Sequence, residues 1–159
     1  MNPTSDLVAV AWLGGIAGLT PDMVSTNLPQ DNSTWAATGF CTVSTIGGTP
    51  DLYLPVRKPV YQVDCWAVNP SSGRPPWGKA NHLAELIRSH VEAGPRVSNF
   101  ARLLSFTPVG AYFGANVVEA ILRTEPRRVT VPAVMPTGDE ASYARYLFDL
   151  ELVWKVASS

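Results

Sequence analysis

Cysteine is nearly absent from the 159-residue chain: Cys41 and Cys65 are the only two. Each lies in a segment that reads as a strand and no secretory signal is evident, so two buried free thiols are expected in preference to a disulfide. Charge of one sign is lacking too. The formal net charge is -1, which gives no whole-protein attraction to nucleic acid or to an anionic membrane. Lysine is scarce, with three Lys against nine Arg. That bias, alongside many Ala, Val and Pro and few Ile, is what GC-rich coding tends to produce, and it carries no mechanism. Nor is there a long hydrophobic run. LVAVAWLGGIAGL at 7–19 is well short of the roughly 20 apolar residues that span a bilayer. Asp6 precedes it, with no Lys or Arg before it and no clear small-residue cleavage site after it, unlike a signal peptide. A buried N-terminal helix is the expectation.

Catalytic and metal signatures are missing as well. No Gly-x-Ser-x-Gly elbow occurs, and nothing near Cys65 supplies the activating base a thiol nucleophile needs. Gly14, Gly15 and Gly18 sit inside an apolar helix and not after a strand, so they are not a phosphate loop. Asn32-Ser33-Thr34 fits a glycosylation sequon, which means little without a secretory signal. His82, Glu85 and His90 share one predicted helix, but a metal needs at least three convergent ligands and the His to His i+4 spacing of zincins is absent. Solvated or interface histidines are expected. No catalytic, cofactor-binding or metal-binding residue is therefore assigned, and no cofactor.

What is present describes an ordinary folded domain, 46% hydrophobic and 16% charged, spanning 1–159 as one unit. Thr4, Ser5 and Asp6 offer an N-cap and an acidic first turn for a helix over about 5–17. Its Ala11, Gly14, Gly15 and Gly18 leave one side small enough for close backbone approach, and Gly18 and Pro21 stop it. MVSTNL reads as a short strand ending at Pro29, and ATGFCTVSTI at 37–46 as a second, ended by Gly47-Gly48. A third covers 59–68. The central helix, about 77–92, has a stripe of Leu83, Leu86, Ile87 and Val91, with Glu85, Arg88 and Glu92 toward water; Gly94-Pro95 ends it. Residues 96–110 are ambiguous between a helical turn and an irregular strand. ANVVEAILRT, about 115–124, reads as a strand. In the last, YARYLFDLELVWKV, Tyr146, Phe148, Leu150, Leu152, Trp154 and Val156 share one face while Arg145, Asp149, Glu151 and Lys155 crowd the other, as in a sheet packed on one side only. The expected fold is α+β: about five mostly antiparallel strands in one sheet, covered by the two helices.

The third strand, PVYQVDCWAV, poses the functional question. Tyr61, Val63, Cys65 and Ala67 alternate to one face; Val60, Gln62, Asp64 and Trp66 alternate to the other. Asp64 has Asp149 and Glu151 as possible partners on another strand, and paired carboxylates can do acid–base work; plain surface is the simpler reading. The segment 124–142 is long for a connection in a compact domain. Pro126, Pro132 and Pro136 should keep it out of a central strand, while Val129, Val131, Val134 and Met135 are too apolar for an idle loop. An arm docking on a neighbour, with Arg127 and Arg128 at its base, is expected; a hairpin folded back on its own subunit is the alternative.

PVYQVDCWA, the loop PPWGKAN leading into an amphipathic helix, EPRRV and YARYLFDLELVW together resemble the tail terminator proteins of long-tailed phages of actinobacteria. WL near the N-terminus, LP at 28–29 and TGF at 38–40 also look like that family. The resemblance implies a small subunit that self-associates into a ring, a hexamer, which caps the tail tube and joins it to the head-side connector. Implied partners are the major tail tube protein, the head–tail connector protein and phage DNA passing through the centre without sequence reading. A membrane is not among them. The implied location is the virion, at the head–tail junction, after assembly in the host cytoplasm. No reaction is implied, and Gln62 and Asp64 become polar positions facing a neighbour or the ring interior. A head-completion or stopper ring would look alike in size and composition. A small enzyme using Asp64 and Asp149 is the reading from a different class.

Overall fold

The structure, a computed structural model, describes residues 1–70, 74–93, 102–106, 111–129 and 142–157. Two helices, α1 (Ser5–Leu13) and α2 (Trp77–Ala93), accompany seven strands: β1 (Val24–Ser25), β2 (Phe40–Gly48), β3 (Pro59–Asn69), β4 (Arg102–Leu104), β5 (Gly114–Leu122), β6 (Arg127–Val129) and β7 (Ser142–Ala157). The α+β class and the mostly antiparallel sheet are as expected, but the sheet has seven strands, in the order β1-β2-β3-β7-β5-β4 with β6 also on β7. The additional strands are three-residue pieces, too short to show a period of two. Among the described residues only β1 pairs in parallel, with β2.

α1 starts as expected: the Thr4 side chain accepts from Leu7 N at 3.2 Å. Asp6, in its first turn, also accepts from Thr45 N at 3.2 Å and so pins the helix to β2. The helix stops at Leu13, short of the expected 17, with Gly14 as its C-cap. Gly14 then passes close to Pro21, whose Cα would lie 3.2 Å from a β-carbon placed there. The expected strand 23–28 shrinks to Val24–Ser25: Pro21–Met23 forms a 3₁₀ turn and the chain bends at Thr26 and Asn27.

α1 and α2 cover one face of the sheet. Val8, Trp12 and Leu13 of α1, Leu83 and Ile87 of α2, Tyr61, Val63 and Cys65 of β3, and Phe148, Leu150, Leu152 and Trp154 of β7 form one buried cluster. The register explains it: Tyr61 faces Leu150, Val63 faces Phe148 and Cys65 faces Tyr146 across the β3–β7 ladder. Ala67, Ala80 and Ala144 form a small buried group that brings α2 close to this sheet. His90, expected to be solvated or at an interface, is buried in this layer, edge-on to Trp12 with ring centroids 5.3 Å apart. His82 stays exposed. Glu85 and Glu92 flank Arg88, which also reaches Glu125 at 3.1 Å.

The expectation of packing on one side only is corrected. Trp35, Phe40, Trp66, Val68 and Tyr143 form a second buried cluster on the opposite face. The segment 28–36 roofs it, held from α2 by Lys79 Nζ, which donates to Ala36 O at 3.2 Å and Ala37 O at 3.0 Å.

The segment after β5 is corrected in part. Arg127–Val129 does join the sheet, pairing with Leu147, Tyr146 and Arg145 on the same edge of β7 that β5 uses farther along. Pro126 falls in the short break between the two, where Arg123 N donates to Asp149 O at 2.8 Å and Thr124 Oγ1 accepts from Asp149 N at 2.8 Å. The rest of the expected arm, 130–141, lies outside the described residues, as do the expected helix stop Gly94-Pro95 and 96–101 and 107–110 of the ambiguous region.

Candidate interaction surface on the outer sheet face

The outer face answers the question posed by Asp64. Antiparallel pairing sets Asp64 opposite Leu147 and Trp66 opposite Arg145, so Arg145 reaches Asp64 along the diagonal of the ladder, a distance long side chains span. Asp64 Oδ1 accepts from Arg145 Nη2 at 3.0 Å and Nε at 3.2 Å. Gln62 Nε2 donates to the same carboxylate at 3.3 Å. The Arg145 guanidinium lies 5.1 Å from the Trp66 ring centroid, and Trp66 Nε1 donates to Thr42 Oγ1 at 3.0 Å. Asp64 is only 8% exposed. It is one end of a hydrogen-bonded, ring-stacked ion pair.

A second polar group lies farther along the same face. Glu151, expected to be surface, is buried, and Arg123 Nη2 donates to its Oε2 at 2.6 Å. Lys58 binds Asp51 at 2.8 Å. The hydrogen bond from Lys58, with those from the Tyr53 and Leu54 amides, holds the Asp51 carboxyl down at about 2. Asp51 in turn raises the Lys58 ammonium, with smaller contributions from Glu151 and Glu119. Asp64 and Glu151, the two of the three acids that are buried, are thus each held by an arginine, while Asp149 stands opposite Gln62 in the ladder.

The loop between β2 and β3 stands over this second group, and nothing in the sequence reading singled it out. Asp51 Oδ1 accepts from both Tyr53 N and Leu54 N at 2.8 Å, closing a tight Asx-type turn. The apolar side chains of the turn point to solvent: Leu52 is 85% exposed, Tyr53 92% and Leu54 61%. Between loop and sheet runs a cleft of about 630 Å³, walled by Leu52 and Leu54 and floored by Val118, Glu119, Glu151 and Val153. The signal was available in PDLYLP, an acid two and three residues before the amides it binds, bracketed by prolines. Its exposure was not, because Leu and Tyr read as core by type.

His82, Glu85 and His90 are separated, two outside and one in the core, and among the described residues no three His, Cys, Asp or Glu side chains gather as a metal site needs. Among the same residues no helix is long and apolar enough to cross a membrane. No protein-family model matches the chain, and no curated protein matches it.

Proposed function

We propose that this chain is a structural virion subunit: a tail terminator that self-associates into a ring, a hexamer, capping the tail tube and presenting a surface to the head-side connector, with DNA passing through the centre. One observation carries the reading beyond the chain-wide resemblance: a loop ordered by its own hydrogen bonds holds Leu52, Tyr53 and Leu54 in water. Contiguous exposed apolar side chains on a folded subunit mark a surface made to meet another protein. The buried acids support the same reading, since Asp64 and Glu151 are satisfied by arginines within the subunit. Their place is to hold the face in shape while the loop makes contact.

The test is direct imaging of the purified chain by negative-stain electron microscopy, alone and with tail tubes, alongside a Leu52→Ser/Tyr53→Ser variant. Rings with an open centre that sit on tube ends, and their loss in a variant with unchanged circular dichroism, are expected. A chain that stays monomeric at every concentration and leaves tube ends bare overturns the proposal. Rings that ignore tubes and bind isolated head connectors point to a stopper.

A further inference from the structure

Cys41 and Cys65 are direct partners in the antiparallel β2–β3 ladder. Both side chains lie on the helix-covered face with no exposure to solvent, and the Cys41 thiol donates to Cys65 Sγ at 3.8 Å. The pairing runs unbroken from Phe40–Trp66 to Thr45–Tyr61, so neither strand has to slide to bring the sulfurs together. Directly opposed residues in such a ladder have Cα atoms about 4.5–5.5 Å apart, inside the roughly 4.4–6.8 Å that disulfides bridge. We propose that Cys41 and Cys65 are a disulfide site, reduced as the chain folds and closed by a disulfide oxidant of the glutathione type.

The chemistry balances as a thiol–disulfide exchange. One cysteine thiolate attacks a sulfur of oxidised glutathione, releasing one glutathione thiolate and forming a mixed disulfide. The second cysteine, after losing its proton, attacks the protein sulfur of that mixed disulfide and expels the other glutathione. Two cysteine thiols lose two electrons, the two released glutathiones gain them, and the two protons pass to the glutathione sulfurs. The hydrogen bond with Cys41 and then burial raise the Cys65 thiol well above its ordinary range, and attack requires the thiolate. Closure in the folded chain is therefore slow and proceeds through opening of the strand pair. A reducing cell interior keeps the thiols free; an oxidising exterior favours the bond. That change of compartment rests on the proposed virion role, whereas formation of the bond does not.

The experiment uses the full chain and no tail components. Protein refolded with oxidised glutathione, and protein refolded with dithiothreitol, are denatured, alkylated and weighed, then mapped by proteolysis. The oxidised sample is expected to take up no alkylating reagent, to weigh two hydrogens less, and to yield one peptide pair joining Cys41 to Cys65. Its urea midpoint is expected to lie above that of the reduced protein, with the same near-ultraviolet circular dichroism, and to return on reduction. Native reduced protein given oxidised glutathione should reach the same product at least tenfold more slowly than the unfolded chain. Free thiols or only glutathione adducts after oxidative refolding overturn the proposal, as does a crosslinked chain with a lower midpoint or lost near-ultraviolet signal. None of these outcomes depends on ring formation, so this proposal and the virion reading fail separately.

Discussion

On the helix side of the sheet Tyr61, Val63, Phe148, Leu150, Leu152 and Trp154 are all fully buried against α1 and α2. On the outer side the same strands present Asp64 to Arg145 and Glu151 to Arg123, with an aromatic cluster at one end and bare Leu52, Tyr53 and Leu54 at the other. The first face is stabilised by burial of apolar area, which is non-directional and sums over many contacts. The second is organised by a few directional bonds whose net worth is small but whose removal strands a partner. The helix face therefore holds the larger apolar core, while the outer face combines a smaller aromatic cluster with ion pairs that fix its shape.

Leu150→Ala should show the greatest effect: a fully buried leucine cut to alanine destabilises by about 2–5 kcal/mol, read by urea titration. A loss under about 0.5 kcal/mol, no more than a surface change typically gives, would mean that β7 presents its other face to the helices. Asp64→Ala comes next, at about 1–3 kcal/mol, because Arg145, its side chain a quarter exposed, loses the carboxylate that accepts from it. A double-mutant cycle with Arg145→Ala should return a coupling of about 0.5–3 kcal/mol; a value of zero would reduce the pair to surface decoration. Glu151→Gln should fall below Asp64→Ala, since Arg123 is half exposed and finds water when the charge is gone.

Acid separates the faces without mutation. The Asp51 carboxyl sits at about 2, below its usual 3.8. A group depressed in the folded state adds order that is complete above its unfolded value and is lost as pH falls through the folded one. The amide resonances of Tyr53 and Leu54 should therefore lose their folded shifts between pH 3.8 and about 2, ahead of any further change in the helix-side core. Simultaneous loss everywhere would tie the loop to global unfolding. The smallest effect on stability belongs to Leu52→Ser and Tyr53→Ser, within about 0.5 kcal/mol, whatever they do to the proposed ring.

The helix side was legible because its signal is periodic. Alternation in β3 and β7 and the stripe on α2 each repeat often enough to fix type and facing. β4 and β6 were not legible at three residues each, and Pro126 argued against the strand that follows it. The expected α1 runs too far because the apolar run continues through Ile16, which is buried at 2% but lies past the helix end at Leu13. The Asp64 site was half legible. Both charged residues were seen to point outward, but their pairing depends on register between strands far apart in sequence, and no turn sets that register. The exposed loop was missed for the opposite reason: its residues look like core, and only their position on a short polar-bonded turn leaves them outside.

β7 pairs with β3 along one edge and with β5 and β6 along the other, yet it follows all three in the chain. Asp64 and Arg145, joined across it, are 81 residues apart. At synthesis rates of roughly 5–20 residues per second, β3 leaves the ribosome on the order of 4–16 s before its partner exists. During that interval the β2–β3 hairpin carries an edge of unpaired backbone N–H and C=O groups beside an uncovered apolar face, and contacts so distant in sequence form slowly once they are available. The yield of folded chain should then fall the longer that edge stays unpaired. Slowed translation between residues 70 and 142, or loss of a holdase, should lower it more than any change made on the outer face.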